Sequence, residues 1–330
     1  MKTVKIKFVG KWDGITPDDN VICYWLKKNG YEIQVTDDAD YVICDVFGKP
    51  PYEYCQYPQV RIFESGENVT PDFNLVDYAV CRYPIQFGDR NFYVPGCTNP
   101  GNYWHELARK DRNYPDEFLK EKIYFANLIT SHDSEYNYRS TFFQKLNDYK
   151  RVESPGSFMN NMPDGMMVNW LDDSKANFQR QSKFTICFES TAHEGFITEK
   201  ITDAFFSDTI PVYFGSSNIT EFFNKDAFIN VSDYESLDAV VEKIKELDQD
   251  DEKYMQVLRQ PILVDPDMPR RIDEELEAFI LHIFEQPLEK AYRRCRVYYP
   301  KWQDEFLARA IEPTKGYKLK QKIRNILKKG

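Results

Sequence analysis

The chemistry of this chain concentrates in Lys183–Asn218, KFTICFESTAHEGFITEKITDAFFSDTIPVYFGSSN. Its apolar run Phe184–Phe188 predicts a buried parallel strand, and a short polar loop containing Gly195 follows. Thr198, Glu199 and Lys200 then form the first turn of a helix, and a second buried strand leads to Gly215, which makes one βαβ unit. Ligands of open α/β sheets bind beyond the carboxyl ends of the strands, where the free N–H groups and positive dipole end of the next helix favour an anion. Lys200 adds a point charge suited to phosphate. Glu199 suits the same dipole as an ordinary helix stabiliser, and Lys200 taken alone also reads as a solvated helix lysine.

The elements that must position these groups alternate along the chain. In the first third, strands are expected at Val4–Val9, Glu32–Val35, Tyr41–Phe47, Val60–Phe63 and Tyr78–Cys81, with a helix over Asp19–Asn29 capped by Asp18 or Asp19 and closed by Gly30. Between Tyr83 and Asp116 neither period survives, and a long loop with the interdomain crossing is expected there. A second series follows: strand Lys122–Ile129, helix Asn137–Tyr149, strand Lys183–Phe188, helix Thr198–Phe206, and strands Ile210–Phe214 and Phe228–Val231. The next helix, Tyr234–Leu247, has Leu237, Val240, Val241, Ile244 and Leu247 on one face. The expected fold is α/β, two Rossmann-like lobes facing a cleft. Its parts are an acceptor-binding lobe over 1–117, a donor-binding lobe over 118–290, a helical segment over 291–314 that crosses back to the first lobe, and a tail over 315–330.

Composition narrows the function. At 330 residues the chain suits two domains, and its net charge of −10 argues against a nucleic-acid binder. The seven cysteines (23, 44, 55, 81, 97, 187, 295) form no CxxC pair and read as reduced core residues, while the four histidines form no zinc motif. The opening MKTVKIKFVG lacks a secretory h-region and no long apolar run occurs, so a cytoplasmic protein is expected and the sequons at Asn68, Asn218 and Asn230 are expected to be chance matches. The tail KGYKLKQKIRNILKKG has seven basic and no acidic residues; without those charges residues 1–314 carry −17. Leu319, Ile323, Ile326 and Leu327 share one face of it as a helix, a pattern that fits the surface of an anionic membrane and a peripheral place at the inner face.

The string FESTAHEGFITEKITDAFFSDTIPVYFG closely resembles the signature of the α-1,3-fucosyltransferase family of bacterial type: FEN, a spacer, a GYVTEK or DFITEK element, a helix, and a strand ending in Gly. FESGENVTPDFNLVDYAV, Phe63–Val80, resembles the family's acceptor-lobe segment, and LITSHDSEYNYRSTFFQKL, Leu128–Leu146, its Ser-rich strand-loop-helix ending in an Arg. The resemblance implies a GT-B glycosyltransferase that takes GDP-β-L-fucose as donor. It would transfer fucose with inversion to O3 of a GlcNAc or glucose unit, giving a Lewis-type product on a free or lipid-linked glycan such as lipopolysaccharide. It places Glu199 on the fucose, Lys200 and Arg139 on the diphosphate, and the general base on Glu67, with Glu64, Asp72 and Asp13 as rival acids. A carboxylate on the acceptor side suits a hydroxyl that loses its proton as it attacks C1.

Two donor-binding positions depart from the family pattern. Ser190 replaces the Asn of FEN and cannot both donate and accept through an amide, and Phe196 replaces the Tyr of some members, keeping the ring and losing the hydroxyl. The DxD strings Asp38–Asp40 and Asp265–Asp267 follow no buried strand and read as solvated turns, so no protein-built metal site is expected. Lys200 and helix dipoles would then chiefly neutralise the leaving GDP, with no cofactor required and Mg²⁺ or Mn²⁺ at most stimulatory. Another nucleotide-sugar GT-B transferase, an α-1,4 linkage and a two-lobed sugar-binding protein are the alternative readings.

Overall fold

The computed structural model describes residues 2–11, 14–48, 52–96, 103–169 and 172–310. Cys97 and the basic tail 315–330 lie outside them. Among the described residues the chain falls into two compact units, one holding 2–81, 85–93 and 276–310, the other 82–84 and 94–275.

The first unit is built on strands β1 (Lys2–Val9), β2 (Tyr31–Val35), β3 (Tyr41–Cys44), β4 (Val60–Glu64), β5 (Tyr78–Cys81) and β6 (Asn91–Tyr93). They form one parallel sheet in the order β2-β1-β3-β4-β5-β6. The inner strands β3 and β5 are buried at every residue, which explains their unbroken apolar sequence. Helix α1 spans Val21–Lys28. Its cap is Asn20, whose Oδ1 accepts from the Ile22 and Cys23 N–H groups, rather than Asp18 or Asp19. Those two belong to a preceding 3₁₀ turn, Pro17–Asp19, which Thr16 and Asp19 close as a capping box. Gly30 takes the expected left-handed conformation, φ +78°.

The second unit contains α2 (Trp104–Arg109), β7 (Tyr124–Asn127), α3 (Tyr138–Tyr149), β8 (Val152–Glu153), α4 (Ser174–Arg180), β9 (Ser182–Phe188), α5 (Glu199–Phe206), β10 (Ile210–Phe214), β11 (Ile229–Asn230), α6 (Leu237–Gln249) and α7 (Asp251–Leu258). Its sheet is again parallel, in the order β11-β10-β9-β7-β8. Val240, Val241, Ile244 and Leu247 of α6 are buried in its core as the helical spacing predicts. Two parallel sheets in two α/β units are the composition expected of the GT-B class.

The unit boundaries fall at other residues than 117 and 290. Segment 94–117 contains a helix where a loop was expected, and Trp104 of α2 packs edge-on against Phe223, 5.5 Å between centroids, within the second unit. Lys110 pairs with Asp208 there at 2.6 Å, and Arg112 Nε donates to the Leu258 carbonyl. At the other end, helix α8 (Met268–Glu285) puts Phe279 against Tyr78 and Phe284 against Tyr41, both in the first unit.

Short α9 (Leu288–Ala291) and α10 (Tyr298–Ala310) follow. Two buried charges fasten this C-terminal stretch to the first sheet. Asp77 accepts the N–H groups of Arg61, Arg293 and Arg294 and pairs with the Arg294 guanidinium, while Arg61 pairs with Asp304 of α10. Five of the six described cysteines are buried as core residues; Cys295 is exposed. Burial pushes the Cys23 and Cys55 thiols up to about 12, so neither forms a thiolate at neutral pH.

The buried pair generates a stability prediction. Arg294→Ala leaves the Asp77 carboxylate without its cation and is expected to cost about 3–5 kcal/mol in denaturant unfolding. Lys301→Ala, which loses an exposed 3.8 Å contact to Glu305, is expected to cost less than about 1 kcal/mol in the same measurement.

Candidate active site

At the carboxyl ends of β9 and β10 the second unit gathers the groups the sequence singled out. The loop 189–198 leaves β9 and delivers the chain to α5. Its first residue, Glu189, is fully buried. Glu189 Oε1 accepts from the Thr198 N–H at 2.8 Å and from Thr198 Oγ1 at 2.9 Å, and Oε2 accepts from Lys200 Nζ at 3.0 Å. Lys200 Nζ also donates to Thr198 Oγ1 at 2.8 Å and lies 3.7 Å from Glu199. Burial works against the lysine's charge, but Glu189 and then Glu199 outweigh it, and its pKa lies above the ordinary 10.5. These bonds fix the ammonium in place, and the lysine side chain as a whole is 23% exposed.

Glycines make room for this arrangement. A Cβ on Gly215 would come within 2.6 Å of Glu189 Cγ and 2.5 Å of Tyr213 Oη. A Cβ on Gly96 would meet the Ile197 carbonyl at 2.8 Å, so the chain passes against the Ile197–Thr198 corner only without a side chain. The left-handed Gly195 (φ +85°) donates its N–H to Ser216 Oγ at 2.7 Å and Asn218 Oδ1 at 3.2 Å, stapling the loops after β9 and β10 together. Asn218 is thereby buried and engaged, unsuited to modification as a sequon.

The other donor-side candidates fare differently. Arg139 is 1% exposed and directs its guanidinium at backbone carbonyls: Nε and Nη2 to Phe188 at 3.0 and 2.7 Å, Nη1 to His132 at 2.8 Å. It braces the loop after β7 against the end of β9 rather than offering an open fork. Phe196 is buried, so its ring packs as core and presents no free stacking face. Ser190 is partly exposed and its carbonyl accepts from the Glu135 N–H at 2.8 Å. Glu199 is half-exposed at the helix start; burial opposes its charge, yet Lys200 and then Lys175 hold its pKa below 4.5.

Sequence reasoning missed Glu189. The available signal was an acidic residue directly after the strand Phe184–Phe188, apolar but for Thr185, which implies a buried carboxylate in need of a cation, with Lys200 eleven positions on.

In the first unit, Glu67 follows β4 and is exposed. Its N–H donates to Ser65 Oγ at 3.2 Å, and its own carbonyl accepts from the Val69 N–H at 2.9 Å. The rival Glu64 is committed elsewhere: its Oε2 accepts from Lys11 Nζ and from Asn20 Nδ2 at 3.0 Å. Lys11 is buried and also pairs with Asp45 at 3.1 Å. Asp72 is tied by the Asn74 N–H and by Gln303 Nε2, and Asp13 lies outside the described residues. Glu67 is therefore the acid in this segment with its side chain facing solvent.

Asp38 pairs with Lys5, Asp265 with Arg271 and Asp267 with Arg270, all exposed, as expected of solvated turns. Among the described residues no three His, Cys, Asp or Glu side chains converge as a metal-ligand set.

Comparison with known proteins extends this picture over most of the chain. Residues 6–98 match the alpha-(1,3)-fucosyltransferase FucT N-terminal domain, and residues 119–259 match the C-terminal domain of glycosyltransferase family 10 (fucosyltransferase). The alpha-(1,3)-fucosyltransferase FucT of Helicobacter pylori is 30% identical over 286 residues, covering 76% of this chain and 58% of that protein. The 4-galactosyl-N-acetylglucosaminide 3-alpha-L-fucosyltransferase of Homo sapiens is 31% identical over 159 residues, 47% of this chain and 42% of that protein. The chain thus spans roughly half the length of these relatives. A crystal structure of an alpha1,3-fucosyltransferase superposes with a TM-score of 0.73 at 24% identity, covering 90% of this chain and 93% of that one. Another, of alpha1,3-fucosyltransferase with GDP, gives 0.70 at 26% identity, covering 86% and 91%. With both domain matches in order along one chain, and Lys200 in the first turn of the helix that follows β9 inside the second match, this protein belongs to glycosyltransferase family 10, the α-1,3-fucosyltransferases.

Proposed function

We propose that this protein transfers L-fucose from GDP-β-L-fucose, with inversion, to O3 of a GlcNAc or glucose unit of a glycan, giving an α-1,3-fucoside of Lewis type. The observation that carries the reading is Lys200, a protonated lysine locked by a buried carboxylate at the N-terminus of α5, its side chain part-exposed. That arrangement suits a diphosphate, and a family neighbour 26% identical to this chain is a complex with GDP. In the reaction the acceptor hydroxyl oxygen attacks C1 of the fucose on the face away from the diphosphate. The bond from C1 to the β-phosphate oxygen breaks, its electron pair leaves with GDP, and the hydroxyl proton passes to Glu67. Lys200 and the α5 dipole offset the charge that grows on the leaving diphosphate, without a metal ion as a required partner.

The remaining candidates take graded roles. Glu199, ionised and half-exposed beside Lys200, suits hydrogen bonds from fucose hydroxyls, and Ser190 offers one shorter contact than an Asn would. Arg139 serves the diphosphate chiefly by holding the two loops in register. The basic pattern of 315–330 supports attachment to an anionic membrane at its cytoplasmic face, which would bring the enzyme to lipid-linked acceptors.

Four outcomes test these assignments. Lys200→Ala is expected to weaken GDP and GDP-fucose alike by about 10- to 100-fold in calorimetry, the worth of one charge-assisted contact. Because the Lys200 pKa is raised, GDP affinity in the parent protein should not fall as pH climbs through the neutral and mildly alkaline range; a fall there that Lys200→Ala abolishes would show that the lysine binds but loses its proton in that range. Glu67→Gln keeps size and hydrogen bonding but cannot take a proton, so turnover should drop by about 10² to 10⁴ with GDP affinity intact. Full-length protein should co-sediment with anionic vesicles and release at high salt, while a chain ending at Thr314 stays in the supernatant and keeps its activity on free oligosaccharides. Equal sedimentation of both would show that the tail is no anchor.

A further inference from the structure

The turn that leads into α3 carries an exposed aromatic ring with no part in the roles assigned above. Tyr136 is 80% exposed and its backbone is left-handed, φ 57° and ψ 22°. Asn137 follows at φ 57° and ψ 32°. Asparagine takes that conformation readily, whereas a bulky aromatic seldom does, so the backbone at Tyr136 is strained. An exposed ring has little packing to offset such strain. Two backbone hydrogen bonds and one from a side chain hold it instead: the Glu135 N–H donates to the Ser190 carbonyl at 2.8 Å, the Asn137 N–H to the Ser134 carbonyl at 3.1 Å, and Ser140 Oγ to the Asn137 carbonyl at 3.1 Å.

These bonds also say where the ring stands. The first joins the turn to the loop that runs from Glu189 to Lys200, and Arg139, three residues on, grips the Phe188 carbonyl at the end of β9. A row of rings crosses the same edge of the sheet. Phe188 lies 5.5 Å from Phe214, Phe214 lies 4.8 Å from Tyr138, and Tyr138 meets Tyr136 edge-on at 6.5 Å. The row starts in the core and ends in solvent, on the carboxyl edge that also holds Lys200.

We propose that Tyr136 is the stacking platform for the purine base of the nucleoside diphosphate whose phosphates meet Lys200, so that it sets affinity for the nucleoside and not for the diphosphate. This rests on the donor-site reading given above. A flat ring open to solvent, on a turn bonded to the loop that leads to Lys200, matches how bases are held on aromatic faces. Strain retained at a ligand site is the expected mark of a preformed contact.

Titration calorimetry on the full chain tests it, with GDP, ADP, UDP and inorganic pyrophosphate as probes. Tyr136→Ala should weaken GDP by about 5- to 100-fold and leave pyrophosphate unchanged, while Tyr136→Phe should bind GDP like the parent. Tyr136→Gly relieves the left-handed strain, so it should raise the melting temperature and still lose GDP affinity. Unchanged GDP affinity in Tyr136→Ala, or an equal loss of GDP and pyrophosphate, overturns the proposal while leaving the Lys200 reading in place. If the parent binds a different nucleoside diphosphate and Tyr136→Ala loses it, stacking stands and the GDP-fucose reading falls. If no nucleoside diphosphate binds, both fall.

Discussion

A carboxylate with no access to water dictates the geometry of the second unit's carboxyl edge. Isolated in the interior, Glu189 would cost several kcal/mol, and only a cation and hydrogen-bond donors within reach make its ionised form tolerable. Thr198 supplies a backbone and a hydroxyl donor, and Lys200 supplies the charge. The first turn of α5 is thereby locked to the end of β9, and the ammonium acquires one orientation. A lysine left in solvent would hold no such position, since its four-carbon stem samples many rotamers.

The first unit solves a similar problem with a different result. Lys11 sits between Asp45 and Glu64 at the carboxyl ends of β1, β3 and β4. Burial opposes its charge, and Glu64 and Asp45 more than restore it. Both lysines are thus held ionised by a pair of acids, but Lys11 is enclosed while Lys200 keeps part of its surface open. That difference in access makes Lys11 a fastener for the strand that precedes Glu67, whereas the Lys200 side chain keeps contact with solvent. The same enclosure takes Glu64 out of contention as a base and leaves Glu67, two residues past the buried Ser65, to face solvent.

Much of this was legible in the sequence where local pattern and burial agree. Strands Tyr78–Cys81 and Ile210–Phe214 match their apolar runs to the residue, because a strand covered on both faces must be apolar throughout. The helix start at Thr198–Lys200 was legible for the same local reason. What escaped depends on distant partners. Helix Trp104–Arg109 and strand Asn91–Tyr93 lie in a stretch rich in Pro, Gly and Asn, and the helix is anchored by Trp104 against Phe223, more than a hundred residues away in sequence. Two-residue strands such as Val152–Glu153 carry too little pattern to be seen. The resemblance places Arg139 on the diphosphate, yet in the structure its guanidinium donates to the carbonyls of His132 and Phe188, partners that no spacing could reveal.

The tight approach of Gly215 to Glu189 constrains how such a sequence can drift. With the carboxylate in place, any side chain at 215 collides with the Glu189 stem and with the tyrosine hydroxyl that receives the Ser216 N–H. Alanine at 215 needs both a shorter residue at 189 and a displaced Tyr213 ring, and shortening 189 strips Lys200 of its principal counter-charge. The two positions, far apart in the text of the chain, are bound to change in a fixed order or not at all, and the glycine records the acid's presence in any descendant that keeps it.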